Sequence, residues 1–173
     1  MNKWFYKNKK IDRELSNKLG IHPAIIKILA DRGVETEEDI REFLEADLSK
    51  VSDGSELTDM EKGVSIIQDA IAAGKHIRII GDYDVDGVTS TYILYKGLIG
   101  LHAKCDKFIP HRIKDGYGLH ENAIRRARED GVEVILTCDN GIAAADAVCL
   151  AKEFGMTVVV TDHHEVPFVQ EPD

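Results

Sequence analysis

Beyond Gly74 the chain alternates between short β-rich apolar runs and helix-like stretches. "HIRIIGDY", "AKCDKFIPHR", "VEVILTCDNG" and "MTVVVTDHH" read as strands. "GVTSTYILYKGLIG", "HENAIRRAREDG" and "IAAADAVCLAKEFG" read as the helices between them, the last two ending at Gly131 and Gly155. Apolar strands joined through helices by short connections form a parallel sheet with helices on its faces. The spacing predicts an α/β domain over residues 58–173, a parallel sheet with helices on both faces.

A small helical segment, residues 1–57, is expected ahead of it. In "HPAIIKILADRG" the spacing puts Ile25, Ile28 and Leu29 on one face, with Gly33 as the stop. In "TEEDIREFLEA" Thr36 is the expected N-cap, Asp39 follows three residues later, and Ile40, Phe43 and Leu44 form the apolar face. "LSKVSDGSEL" is a loop by composition. A third helix is expected from near Thr58 to Gly74.

No apolar run reaches the roughly 18–20 residues of a membrane span. Three cysteines without paired spacing argue against a disulfide framework and for a cytoplasmic protein. Cys138 and Cys149 are expected to be buried as small apolar residues. The net charge of -9 is unlike the basic footprint of a nucleic-acid binder. It is uneven, however. Residues 1–10 hold four lysines and the trio Trp4-Phe5-Tyr6, and residues 102–128 hold seven Lys/Arg against three acids. After the fourth strand no further helical pattern follows, so the chain is expected to be an N-terminal portion of a longer protein.

The chemistry gathers at the strand ends. "GDYDVDG", residues 81–87, opens like a calcium loop of the EF-hand type. Such a loop needs a glutamate at position 12, and counting from Asp82 that position is Ile93. A strand rather than a helix precedes it, so the EF-hand reading fails. In open α/β sheets, ligands bind beyond the carboxyl ends of the strands. Asp82, Asp84 and Asp86 follow the first strand, His111 and Arg112 the second, Asp139 and Asn140 the third, and Asp162, His163 and His164 the fourth. Clustered carboxylates repel one another unless a cation neutralises them. Carboxylates with one or two imidazoles suit Mn²⁺ or Mg²⁺. The number of carboxylates points to two ions, which about 3.5–4 Å apart can serve an in-line displacement at phosphorus. Arg112 is placed to hold a phosphate, and Gly87 and Gly141 to let backbone N–H groups approach it. Asp82 stands open between ligand and loop cap. Asp162 is expected to orient an imidazole rather than ligate, and His111, Asp115 and Tyr117 to shape their loop. His22, His76, His102 and His120 show no cluster and are expected at the surface.

"GDYDVDGVTS", "IPHRIKDGYGL", "TCDNGI" and "TDHH" together resemble the successive motifs of the DHH phosphoesterase superfamily, and within it the RecJ-type single-strand-specific 5′→3′ exonucleases. The resemblance covers roughly residues 50–170, and "ILADRGVETEEDIREFL" is similar to the segment before the RecJ core. It implies a metal-dependent exonuclease acting on single-stranded DNA in repair and recombination. It implies that Asp84 and Asp86 are metal ligands, that Asp139 bridges two ions, and that His163 is a ligand. It also implies that His164 contacts the scissile phosphate and that Arg112 binds a phosphate. Asn140 and Gly141 are further expected substrate-phosphate binders. Many members carry a histidine four residues before the DxD pair; here that position is Ile80. The family's last metal aspartate, its DHHA1 domain and its oligonucleotide-binding domain have no counterpart in this sequence, so weak or no activity is expected of this chain alone. Two other readings remain: a phosphodiesterase or pyrophosphatase for small substrates such as short oligonucleotides or cyclic dinucleotides, and a non-catalytic nucleic-acid-binding scaffold.

Overall fold

A computed structural model of the chain describes residues 12–45, 47, 49 and 51–167. The basic N-terminal stretch 1–10 lies outside the described residues. The chain divides into two compact units, residues 1–56 and 57–173.

Among the described residues the first unit holds three short helices, α1 (Arg13–Leu19), α2 (Pro23–Asp31) and α3 (Glu37–Leu44), then a 3-10 turn at Gly54–Glu56. Their caps are local. Asp12 accepts from the Leu15 N–H, and Thr36 Oγ1 accepts from the Asp39 N–H at 3.1 Å. His22 caps α2 through Nδ1, ahead of Pro23 at its first position. The buried centre is Ile26, Leu29 and Ile40, with Leu15, Leu19, Ile21 and Val34 packed around it. The apolar faces expected from sequence differ here. Ile25, Ile28, Phe43 and Leu44 are exposed. Helices of seven to nine residues present one narrow stripe to so small a core, and in α2 that stripe runs through Ile26 and Leu29.

The second unit is the α/β domain. Its elements are α4 (Met60–Ala72), β1 (Ile77–Ile80), α5 (Val85–Gly100), β2 (Cys105–Phe108), α6 (Glu121–Glu129), β3 (Val134–Thr137), α7 (Ala145–Glu153) and β4 (Thr157–Val159). All strand pairs are parallel, in the order β2-β1-β3-β4. Ile77 lies opposite both Cys105 and Val134, so β1 and β3 form the centre.

Alternation along the strands separates two cores. Ile77, Ile79, Val134 and Leu136 join Ala70 of α4 and Leu98 of α5 on one face. Ile80 and Ile135 join Ala123, Ile124 and Ala127 of α6 and Ala147, Val148 and Ala151 of α7 on the other. Helices thus cover both faces. Arg78 interrupts the second face. It is largely buried, pairing with Asp106 of β2 (2.6 and 2.7 Å) and with Asp130 at the end of α6 (2.8 Å). His76 adds to the group through Nε2, 3.1 Å from Asp106. Cys138 is buried as expected, but Cys149 is exposed, lying on the outer side of α7. No helix among the described residues is long and apolar enough to cross a membrane.

Candidate active site

The strand order creates a crevice. After β1 the chain moves to β2 on one side, then crosses back over β1 to β3 on the other. Between β1 and β3 the connections diverge, which is where open α/β sheets bind ligands. The aspartate loop after β1 and Asp139 after β3 flank that point.

The turn after β1 is tightly built. Asp84 caps α5, its Oδ1 accepting from the Gly87 N–H at 2.9 Å. That bond, reinforced by the other donors at the helix start, holds the Asp84 carboxyl below its ordinary range although burial opposes it. A Cβ on Gly87 would lie 2.5–2.7 Å from the Asp82 backbone, and one on Gly81 would strike the Thr91 side chain. Asp82 lies beneath this turn, 1% exposed, and neither of its carboxylate oxygens has a hydrogen-bond partner. Asp86 occupies the first turn of α5, exposed to solvent.

On the β3 side Asp139 adopts a left-handed backbone, φ 61°. Non-glycine residues seldom do so, and such strain gathers at functional sites. Its Oδ1 is 2.8 Å from His163 Nε2. Burial pushes the Asp139 carboxyl up and the negative Asp84 adds to this, against the lowering bond to His163. Asp162 organises the loop after β4. Its Oδ2 accepts from the Ile142 N–H (2.9 Å), and its Oδ1 from the backbone N–H groups of His163 (2.8 Å) and His164 (3.1 Å). The same oxygen is 2.6 Å from His164 Nδ1. Asp162 raises the His164 pKa, although desolvation opposes it. The orienting role expected of Asp162 matches this geometry.

Asp139, His163 and His164 offer ligand atoms all within 4.8 Å of one another. Asp82, Asp84 and Asp86 do not join that group at this distance, although Asp84 is close enough to shift Asp139. Bonds of about 2.1 Å at right angles would hold two ligand atoms of one ion about 3.0 Å apart, close to the Asp139–His163 separation. The two orphaned oxygens of buried Asp82 call for a cation in the same crevice, because an unpaired buried carboxylate is costly. The donors, oxygen and imidazole nitrogen, fit a divalent ion such as Mn²⁺ or Mg²⁺.

Other expected residues take different parts. The Asn140 side chain is buried and donates both amide hydrogens, to Ile80 O (3.0 Å) and Cys138 O (2.8 Å). It has no donor left for a phosphate and instead ties the ends of β1 and β3. Gly141, φ 116°, is needed because a Cβ would sit 2.9 Å from Thr137 Oγ1 and 3.1 Å from Val160. Both glycines expected to admit a phosphate, Gly87 and Gly141, thus serve contacts within the chain. Ile80 is wholly buried in the α6–α7 core. His120 caps α6 and His76 is held by Asp106, so neither is a free surface residue.

In the β2–α6 loop, Arg112 is exposed, its guanidinium 5.3 Å from the centre of the Tyr83 ring. It makes no ion pair among the described residues. His111 and Asp115 shape this loop, the His111 N–H donating to Asp115 Oδ2 at 2.9 Å. Tyr117, expected chiefly as a turn former with substrate contact as the alternative, lies in the site. Its hydroxyl donates to the Asp139 carbonyl at 3.3 Å and is 3.2 Å from His164 Nε2. Burial, then the charges of Asp82, Asp139, Asp162 and Asp84, push its pKa up to about 12. No sequence signal singles it out beyond its place in "DGYG". Tyr117 and His164 also wall an open cavity of about 410 Å³ floored by Leu119, Ile142 and Ala144.

Residues 76–173 match the family model "DHH family, N-terminal domain". The single-stranded-DNA-specific exonuclease RecJ of Bacillus subtilis (strain 168) is 41% identical over 161 residues, 93% of this chain and 20% of the relative. RecJ of Escherichia coli (strain K12) is 31% identical over 91% of the chain and 27% of the relative. The chain therefore spans about a quarter or less of the length of these relatives. A crystal structure of exonuclease RecJ bound to manganese superposes with a TM-score of 0.63 at 38% identity, covering 68% of this chain and 30% of that one. RecJ from Thermus thermophilus in complex with Mn²⁺ superposes with a TM-score of 0.61 at 30% identity, covering 92% and 22%. With the parallel sheet, the motif order and the family match in agreement, the chain belongs to the DHH family.

Proposed function

We propose that this chain carries the metal-binding part of a phosphodiester-hydrolysing site, working in the whole protein as a cytoplasmic 5′→3′ single-stranded-DNA exonuclease of RecJ type in repair and recombination. The observation that carries the reading is the meeting of Asp139, His163 and His164, with the unpartnered Asp82 buried after the neighbouring strand β1, at the point where the connections of the sheet diverge. Kinship with single-strand-specific exonucleases, and the divalent ions of the similar crystal structures, support substrate and cofactor.

Asp82, Asp139 and His163 would hold Mn²⁺ or Mg²⁺, with Asp84 and Asp86 completing a second position from the α5 side. When bound, such ions supply Lewis acidity toward a phosphoryl oxygen and a water nucleophile. The residues of the chain supply the orientation. Asp162 fixes the His163 and His164 backbone and the His164 ring, which stands in the site with Nε2 on the Tyr117 hydroxyl, the contact a substrate phosphate would replace. Arg112, with its charge unpaired on an exposed loop, can take a second phosphate oxygen pair.

In the full-length protein, Asp139→Ala is expected to abolish Mn²⁺-dependent release of nucleotides from 5′-ended single strands. Wild-type activity in that variant would remove Asp139 from the centre. Equal cutting of duplex and single strands would refute the substrate assignment.

A further inference from the structure

We propose that Tyr117 is a positioning residue of this site, its hydroxyl bridging the Asp139 main chain and the His164 ring so that the two stay in fixed register. The proposal rests on the metal-site reading above.

Without Tyr117, His164 would have a hydrogen-bond partner at one ring nitrogen only. Asp162 grips Nδ1 at 2.6 Å and the His163 ring packs against the imidazole at 4.8 Å between centroids, but neither holds Nε2. Tyr117 closes the opposite side, 3.2 Å from Nε2, and its ring meets the imidazole edge-on at 6.0 Å between centroids. Two hydrogen-bond partners at the two nitrogens define one orientation of the ring. The same hydroxyl reaches the carbonyl of Asp139, the residue in the strained left-handed conformation. Its loss frees both ends of the centre together.

Tyr117 is itself held. Its ring packs edge-on against Tyr83 at 6.2 Å, and Tyr83 carries the Arg112 guanidinium on its face. The aspartate turn, the β2–α6 loop and the histidine loop are thus joined through one side chain. This matters because the three come from different strand ends and share few backbone hydrogen bonds beyond the sheet. Small misplacement of a reacting group costs rate steeply, on the order of 100-fold for 1 Å.

The test uses Tyr117→Phe and Tyr117→Leu, both of which lose the hydroxyl, while only the second loses the ring. In the metal-free chain, nitrogen-detected NMR of the imidazoles should show the His164 Nε2 resonance shifted and broadened in both variants, with the thermal midpoint of the Phe variant unchanged. In the full-length protein both should lower kcat by about 10- to 100-fold with KM held within about twofold. An unmoved His164 resonance with wild-type kcat in Tyr117→Phe overturns the proposal. A loss confined to Tyr117→Leu does so too, assigning the role to ring packing. Mn²⁺ titrated into the wild-type chain keeps the underlying reading separate. Failure to broaden the His163 signals would sink the metal site, while the metal-free His164 resonance still decides the part played by Tyr117.

Discussion

Asp139 Oδ1 lies 2.8 Å from His163 Nε2, although the two residues are 24 apart in the chain and leave different strands. Each is presented at the carboxyl end of its own strand, β3 or β4, and parallel pairing of those strands brings the ends level. If this pair forms one edge of a metal polyhedron, His163→Ala should weaken Mn²⁺ binding by at least about 100-fold, and Asp162→Asn by about 10- to 100-fold through lost orientation. Calorimetric titration of the chain measures both. Equal affinities in wild type and His163→Ala would remove His163 from the ligand set.

Asp82 makes the opposite kind of prediction. Its buried, unpartnered carboxylate is a cost in the metal-free fold. Asp82→Asn should therefore leave the metal-free thermal midpoint no lower than wild type. The rise in midpoint on adding Mn²⁺ should shrink, because ligand stabilisation follows affinity for the native state. A strongly destabilised metal-free variant would show that Asp82 holds the turn together instead.

Gly87 tests the same turn sterically. With the Asp82 backbone 2.5–2.7 Å from any added Cβ, Gly87→Ala must shift the start of α5 or the aspartate loop. A loss of about 1–3 kcal/mol is expected from urea unfolding, together with weakened Mn²⁺ binding. An alanine variant as stable as wild type would contradict the close approach.

The Arg78 cluster governs acid stability. Burial pushes the Asp106 carboxyl up, but hydrogen bonds and charge from Arg78, with His76 adding, outweigh it and hold the pKa below its ordinary value. Asp130 faces the same guanidinium, and Glu133 Oε2 accepts from the His76 N–H. A lowered folded-state pKa means that the contribution is complete above the unfolded carboxylate value of about 3.9 and is lost as pH falls through the folded value. Arg78 is buried but Asp106 and Asp130 are 38% and 55% exposed, so water can solvate them once it is gone; Arg78→Ala should cost about 1–2 kcal/mol at neutral pH and Arg78→Met less. The difference from wild type should narrow below about pH 4. Thermal midpoints between about pH 2 and 7 provide the check, and a difference independent of pH would show that the pairs contribute little.

The order of strands and helices and the residues at the strand ends were legible in the sequence, because apolar alternation and glycine stops are local properties. So was the Thr36 cap, a bond between residues three apart. The apolar faces of α2 and α3 were legible only in part: Leu29 and Ile40 are buried as expected, but Ile25, Ile28, Phe43 and Leu44 are exposed, since which stripe of a short helix is buried depends on its neighbours rather than on its own spacing. The roles of Asn140, Gly87 and Gly141 were hidden for the same reason. The carbonyls of Ile80 and Cys138 and the side chains of Thr137 and Val160 are what Asn140 and Gly141 answer to, as the Asp82 backbone is for Gly87, and no spacing announces them.

What the sequence determined by itself was the set of chemical groups and the edge of the sheet that carries them, because each group directly follows a strand. The tertiary structure decided which groups meet. The order β2-β1-β3-β4 sets the aspartate turn beside Asp139, and the histidine loop beyond it, and brings Tyr117 over from a flanking loop. Strand order is fixed by how the helices cover the two faces of the sheet, a balance of burial over the whole domain that no single motif records.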